Sequence, residues 1–330
     1  ANQFERLAAW IGKDSMPDQL AEYPELDGLD IYAVDGHSIE HASHACKTVK
    51  GAQRPSSMLY RVNMRSGLLA VIGHQPDTAC GHSHETTVLK SMVDMRLPNT
   101  LFVGDRAYVD TCYWLKAKRN KGILLVTQLK SNMILMSKVP LDFDASDPIN
   151  TGVTGFYMIT FNNTAGHMLL TEYTDPETGK SYSFITTLDR RVRPGVVAWL
   201  YKLRWNIEKV FDVLKNRLRE IKAWACSENA QTMAGFFVVS AYNFIRMLEW
   251  MMAKEQICEE KLHKKRAHQL EIRALKAAEL GRYIHPLEYT VNRIFTMSAQ
   301  FVRVVSNCFR STRPLQALKP YFRRATKSYI

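Results

Sequence analysis

A chain of 330 residues with 46% hydrophobic side chains is long enough for one large core with additions, and too apolar to stay unfolded. Its formal charge of +12 and pI near 9.4 point to an anionic partner, of which nucleic acid is the commonest. A membrane surface is the weaker alternative, because no apolar run reaches about 18 residues and no signal-peptide pattern opens the chain.

Six cysteines, at 46, 80, 112, 226, 258 and 308, show no CxxC pair and no framework spacing. They indicate a reducing compartment, hence the cytoplasm. The first residue is Ala, consistent with a trimmed N-terminus or a fragment.

Residues 1–28 read as a short helix around FERLAAWI and a loop with Pro17 and Pro24. LDIYAVDG predicts a strand ending at Asp35, and MLYRVNM and GLLAVIG, parted by RSG, predict a hairpin. SHETTVLKSMVDM has helical apolar spacing, and TLFVGD predicts a buried strand ending at Asp105. A helix over YVDTCYWLKAKRN and a fifth strand over GILLVTQL follow.

Between 131 and 190 the pattern changes to short β-type runs, GFYMITF, HMLLTEY and SYSFITTL, punctuated by turn residues. These predict an inserted β-rich module. From Pro194 the chain reads as helical, through YKLRWNIEKVFDVLK, TMAGFFVVSAYNFIRMLEWMMAKEQ and a charged stretch, Glu259–Glu279. Tyr289–Ile330 carries Lys and Arg but neither Asp nor Glu, which suits a track for DNA.

The order β-β-β-α-β-α-β, an insertion, then a helix resembles a ribonuclease-H-like α/β core with a mixed five-stranded sheet. The divisions expected are 1–28, an N-terminal helix and loop; 29–130, the first part of the core; 131–190, the insertion; 191–250, the second part of the core; and 251–330, a helical basic region. Asp35 and Asp105 then end two strands, and Glu208 lies on the helix after the insertion. Two-metal phosphoryl transfer needs acids that hold two divalent cations about 4 Å apart, and Mg²⁺ suits such oxygen ligands. Three ordinary surface acids are the alternative.

Tyr201, Arg204, Glu208 and Lys215 fall within about 60° of one another on a helical wheel. Leu200, Leu203, Ile207, Val210, Phe211, Leu214 and Leu218 fill the adjoining sector. This predicts one helix docked on a core, its polar stripe turned to a partner. A glutamate holding a metal beside DNA needs cationic neighbours for the phosphates, although i,i+4 surface pairs explain such charges equally simply.

Tyr-x2-Arg-x3-Glu-x6-Lys resembles the YREK signature of DDE transposases of the insertion-sequence-four family, and Tyr201, Arg204, Glu208 and Lys215 match every interval. The resemblance extends to RWNIE with Phe211 after it, VGDRAY around Asp105, AVDG around Asp35 and AYNFIR on a later helix. It covers roughly residues 29–250. It implies a ribonuclease-H-like core interrupted by a β insertion, and cut-and-paste transposition. A metal-activated water nicks the transposon end, the freed 3′-hydroxyl attacks the opposite strand to form a hairpin, and the opened end joins target DNA.

It further implies that Asp35, Asp105 and Glu208 hold two Mg²⁺ ions, for which Mn²⁺ can substitute. Tyr201, Arg204 and Lys215 would hold terminal phosphates, and Arg106 would contact DNA or form a salt bridge. The implied partners are inverted-repeat DNA of the transposon end, target DNA and a second copy in a synaptic homodimer. No membrane is implied; the implied place is the bacterial cytoplasm, on the nucleoid when bound to DNA. Tyr182 or Phe184 would stack on a flipped base or serve as strand core.

His37, His41, His44, Cys46, Cys80, His82 and His84 are zinc-type side chains at no closed-site spacing, so solvated loop histidines are the plainer reading; His37 and His84 could also border the acids. Trp205 is expected to pack, and Asn243 to cap or cross-link helices. The remaining functional alternatives are a related nuclease without strand transfer and a non-catalytic DNA-binding protein.

Overall fold

In the computed structural model the described residues are 18–39, 41–42, 56–75, 83–94, 98–162, 164–216, 222–223 and 228–256, with 268, 271–272, 275–276 and 278–279. The helix expected around FERLAAWI, most of Glu259–Glu279 and all of Tyr289–Ile330 lie outside them. So do His44, Cys46, Cys80 and His82, together with the side chains of His41 and His84.

Eleven strands are described. β1 (Asp30–Ile39) is followed by the two-residue β2 (His41–Ala42), then β3 (Ser56–Asn63) and β4 (Leu69–Gln75). β5 (Thr100–Val103) and β6 (Leu124–Gln128) complete the first half. The second half comprises β7 (Leu135–Pro140), β8 (Val153–Phe161), β9 (Met168–Thr174) and β10 (Ser181–Thr186), and β11 (Lys222–Ala223) pairs with β2. The helices are α1 (Ser83–Asp94), α2 (Thr111–Lys121), α3 (Pro194–Arg204), α4 (Asn206–Asn216) and α5 (Glu228–Gln256).

Nine strands form one mixed sheet in the order β4-β3-β1-β5-β6-β10-β9-β8-β7. The expected hairpin is β3–β4, antiparallel, and β1, β5 and β6 run parallel. The β-rich stretch does not stand apart from the five-stranded sheet. β10 pairs antiparallel with β6, Phe184 opposite Gln128, so four strands extend that sheet to nine. β7 has no counterpart in the strands expected from sequence, because as an edge strand it turns apolar residues outward: Met136 and the preceding Ile134 are exposed.

Strand alternation sorts side chains between two cores. Val34, Leu59, Phe102 and Leu125 meet Leu89 and Val93 of α1 and Trp114 and Ala117 of α2 on one face. Ile31, Ala33, Leu101, Val103 and Val126 meet α3, α4 and α5 on the other. α2 begins at Asp110, whose carboxylate accepts the Tyr113 N–H at 3.0 Å. It ends at Gly122, whose left-handed φ of 66° favours a residue without Cβ.

Two expectations need correction. β1 does not end at Asp35 but continues to Ile39, because β3 keeps pairing with it as far as Ser56 after β5 has stopped. The single helix expected over 201–215 is broken at Trp205. The Trp205 N–H reaches back three residues to Lys202 and the Glu208 N–H three residues to Trp205, each at 3.2 Å. This tight turn keeps right-handed backbone angles, so the apolar spacing passes through the break unchanged.

α5 covers the β4 edge. Asn243, expected to serve helices, instead binds a strand. Its Oδ1 accepts the Leu69 N–H and its Nδ2–H donates to the Leu69 C=O, both at 2.8 Å. The amide thus completes the hydrogen bonding of edge backbone that would otherwise be buried without partners.

Candidate active site

The parallel pairing of β1 with β5 places Ala33 beside Val103. Asp35 and Asp105 each lie two residues further on, at the carboxyl ends of the paired segments, where open α/β sheets carry ligands. Two-residue alternation then aims both aspartates at the face covered by α3 and α4.

Backbone donors fix each carboxylate. Asp35 Oδ1 accepts the Gly36 N–H at 2.9 Å, and Asp105 Oδ1 accepts the Ala107 N–H at 2.7 Å, capping a short turn over Arg106–Tyr108. The Asp105 carbonyl accepts the Thr127 hydroxyl at 2.8 Å, tying it to β6. Gly104 lets this turn close, because a Cβ there would stand 2.8 Å from the Tyr108 ring.

Glu208 enters from α4, half-exposed, and Arg204 enters from the end of α3. Its Nη1 lies 3.2 Å from Asp35 Oδ2 and its Nη2 lies 3.8 Å from Glu208 Oε1. The Arg204 side chain is only 7% exposed, against 23% for Asp35 and 49% for Glu208, so the guanidinium is the inner member of the group. It also lies 5.5 Å from the Tyr201 ring centroid and 5.8 Å from that of Trp205.

The expected outward stripe is therefore divided. Glu208 and Lys215 are exposed, whereas Tyr201 and Arg204 are buried. Tyr201 packs on Phe184 with ring centroids 4.7 Å apart, and its hydroxyl donates to Gln128 Oε1 at 3.4 Å. Burial pushes the Tyr201 phenol above its ordinary pKa; Arg204 works against this and the Asp105 charge adds to it. The Asp105 and Arg204 charges thus both act on the Tyr201 phenol.

Phe184 is a core residue and stacks on Tyr182 at 5.9 Å, which favours the strand-core reading of that pair. Trp205 reverses the expectation that it would pack: the helix break leaves it 56% exposed. Arg106 is exposed and makes no ion pair among the described residues.

His37 is no loop histidine. It lies in β1, buried, with its ring 5.0 Å from Phe211 of α4. Burial first and the Lys215 charge second lower its pKa to about 4, so the ring is neutral near pH 7.

Among the described residues no group of three or more His, Cys, Asp or Glu is gathered closely enough to hold a metal ion. Arg204 lies between two of the three acids instead. Sequence reasoning missed this inward role and also missed Gln128. The latter carried a faint signal, a polar residue ending the strand next to Asp105.

A sheet with the β4-β3-β1-β5-β6 order, helices on both faces and aspartates just past the parallel pairing of β1 with β5 is a ribonuclease-H-like arrangement. A family model described as the transposase DDE domain matches residues 27–244, about two thirds of the chain, and the chain belongs to that family. The match begins just before β1 and runs into α5. Comparison with curated proteins returns no match. The protein is thus a DDE transposase, of a family that binds transposon DNA, cuts and joins strands, and generally uses divalent metal ions. No helix among the described residues is long and apolar enough to cross a membrane.

Proposed function

We propose that Asp35, Asp105 and Glu208 form the cutting and joining centre of a cut-and-paste transposase of the insertion-sequence-four type, with Tyr201, Arg204, Glu208 and Lys215 as its YREK set. The observation that carries this reading is the convergence of β1, β5 and α4. Two aspartates in matched register share a face with a glutamate that is linked to Asp35 through a single guanidinium.

In chemistry the donor set fits divalent cations of the Mg²⁺ or Mn²⁺ type, since all three are carboxylates; in this structure the three are not gathered closely enough to share an ion, and Arg204 supplies the positive charge between Asp35 and Glu208. Asp35, Asp105 and Glu208 would hold the ions, which lower the pKa of bound water and stabilise charge on phosphoryl oxygens. The chain's own residues do the positioning. The Gly36 and Ala107 amides hold the aspartates, and Lys215 and Arg106, both exposed, would contact phosphates. We take the reaction to pass through a hairpin, in which the freed 3′-hydroxyl attacks the opposite strand, and the working form to be a homodimer on paired ends.

The test is cleavage of inverted-repeat DNA, taken from the sequence flanking the gene, with Mg²⁺ or Mn²⁺. Nicks and then hairpin ends are expected from the parent and neither from Asp105→Ala or Glu208→Ala. Unchanged cleavage in either variant removes that residue from the reading.

One observation favours a second reading, a DNA-binding protein without catalysis. A guanidinium placed between Asp35 and Glu208 also suits a chain that no longer binds cations. Cleavage by the parent chain excludes it.

A further inference from the structure

Arg204 is held in an uneasy position. Both terminal nitrogens face carboxylates, yet its Nε is buried with no hydrogen-bond partner among the described residues. A buried donor left unmatched costs free energy, so this contact is only partly compensated. The exit is short, because Arg204 sits where α3 ends, beside exposed Trp205 and half-exposed Glu208.

We propose that Arg204 is an internal counter-cation: it neutralises Asp35 and Glu208 while no DNA end is bound, and transfers to a DNA phosphate when one docks. This rests on reading those acids as metal ligands. A carboxylate on β1 and one on α4 facing the same guanidinium would repel one another without a cation between them. A guanidinium supplies that charge, and its fork binds carboxylate and phosphate with the same geometry, so one can replace the other. Arg204 therefore competes with divalent ions in the DNA-free protein and stops competing once a phosphate takes it. Ion binding is coupled to DNA binding, and by linkage each ligand raises the affinity for the other by the same factor.

The experiment titrates the full chain with Mn²⁺ alone and reads free Mn²⁺ by electron paramagnetic resonance, so no cleavage is needed. Arg204→Gln is expected to bind Mn²⁺ about tenfold more tightly than the parent without DNA. Lys209→Gln, which removes a cation next to Glu208 without opening the fork, is expected to stay within about twofold of the parent.

An Arg204→Gln affinity no higher than the parent's overturns the proposal, as does an equal gain in Lys209→Gln. Should Arg204→Gln fail to fold, Arg204→Lys replaces it. A single ammonium cannot fork between two carboxylates, so an intermediate affinity is expected and one at or below the parent's overturns the proposal. Adding the end duplex should raise Mn²⁺ affinity by a larger factor in the parent than in the Arg204 variant; equal factors overturn the transfer. Asp105→Ala separates the two levels. If it binds Mn²⁺ as the parent does, the reading of the acids fails, whatever Arg204 does.

Discussion

On the α1–α2 side of the sheet, Val34, Leu59, Leu89, Phe102, Tyr108 and Trp114 close an apolar layer, and the Trp114 indole N–H is satisfied by the Tyr108 carbonyl at 2.8 Å. On the α3–α4 side the same strands carry Asp35, His37 and Asp105, with Arg204 buried among them. Val34 and Asp35 are neighbours in sequence and opposites in role. Strand alternation is what separates them: one face can be packed for stability while the other bears charges that oppose it. The tight layer then serves as a rigid back plate for carboxylates that must keep their register.

If the two faces divide the work in this way, their variants should separate in two measurements, unfolding and cleavage. Trp114→Ala should have the largest effect on stability, about 3–5 kcal/mol in urea unfolding, because a fully buried indole leaves a cavity. Asp105→Ala, which abolishes cleavage on the present reading, should lose far less stability than that. A large loss at Asp105 with little at Trp114 would invert the comparison.

Asn243→Ala sharpens it from the edge of the sheet. Losing both bonds to Leu69 should cost about 1–3 kcal/mol, because one N–H and one C=O are left buried without partners. Since β4 lies two strands from β1, cleavage by the folded fraction should be unchanged. A cost near zero would mean that water replaces the amide.

The parts of the fold legible in the sequence are those set by local pattern. The β3–β4 hairpin is written in two alternating runs with RSG between them, and β5 and β6 in short apolar runs ending in polar residues. Both aspartates could be located because an acid interrupts each apolar run, although only Asp105 follows the end of its strand and Asp35 lies inside β1. The joining of β10 to β6 could not, since a pairing partner some 60 residues away leaves no local trace; Thr186 meets the Leu125 carbonyl across 61 residues.

Nor was the break at Trp205 legible, because a turn with right-handed angles keeps Leu203 and Ile207 in phase. Burial of Arg204 was hidden for a different reason. Its partner Asp35 lies 169 residues away, and an arginine in a helix ordinarily points to water. In the candidate site, then, the acids could be read from their own surroundings, while the cation among them depends on contacts that exist only in the folded chain.

The most direct measurement is a crystal structure of the chain with Mn²⁺ and the end duplex, the ions located by their anomalous scattering. The account predicts Mn²⁺ bound directly to carboxylate oxygens of Asp35, Asp105 and Glu208, with Arg204 moved onto a DNA phosphate. Ions bound away from these three residues, with Arg204 still lying between Asp35 and Glu208, would contradict it.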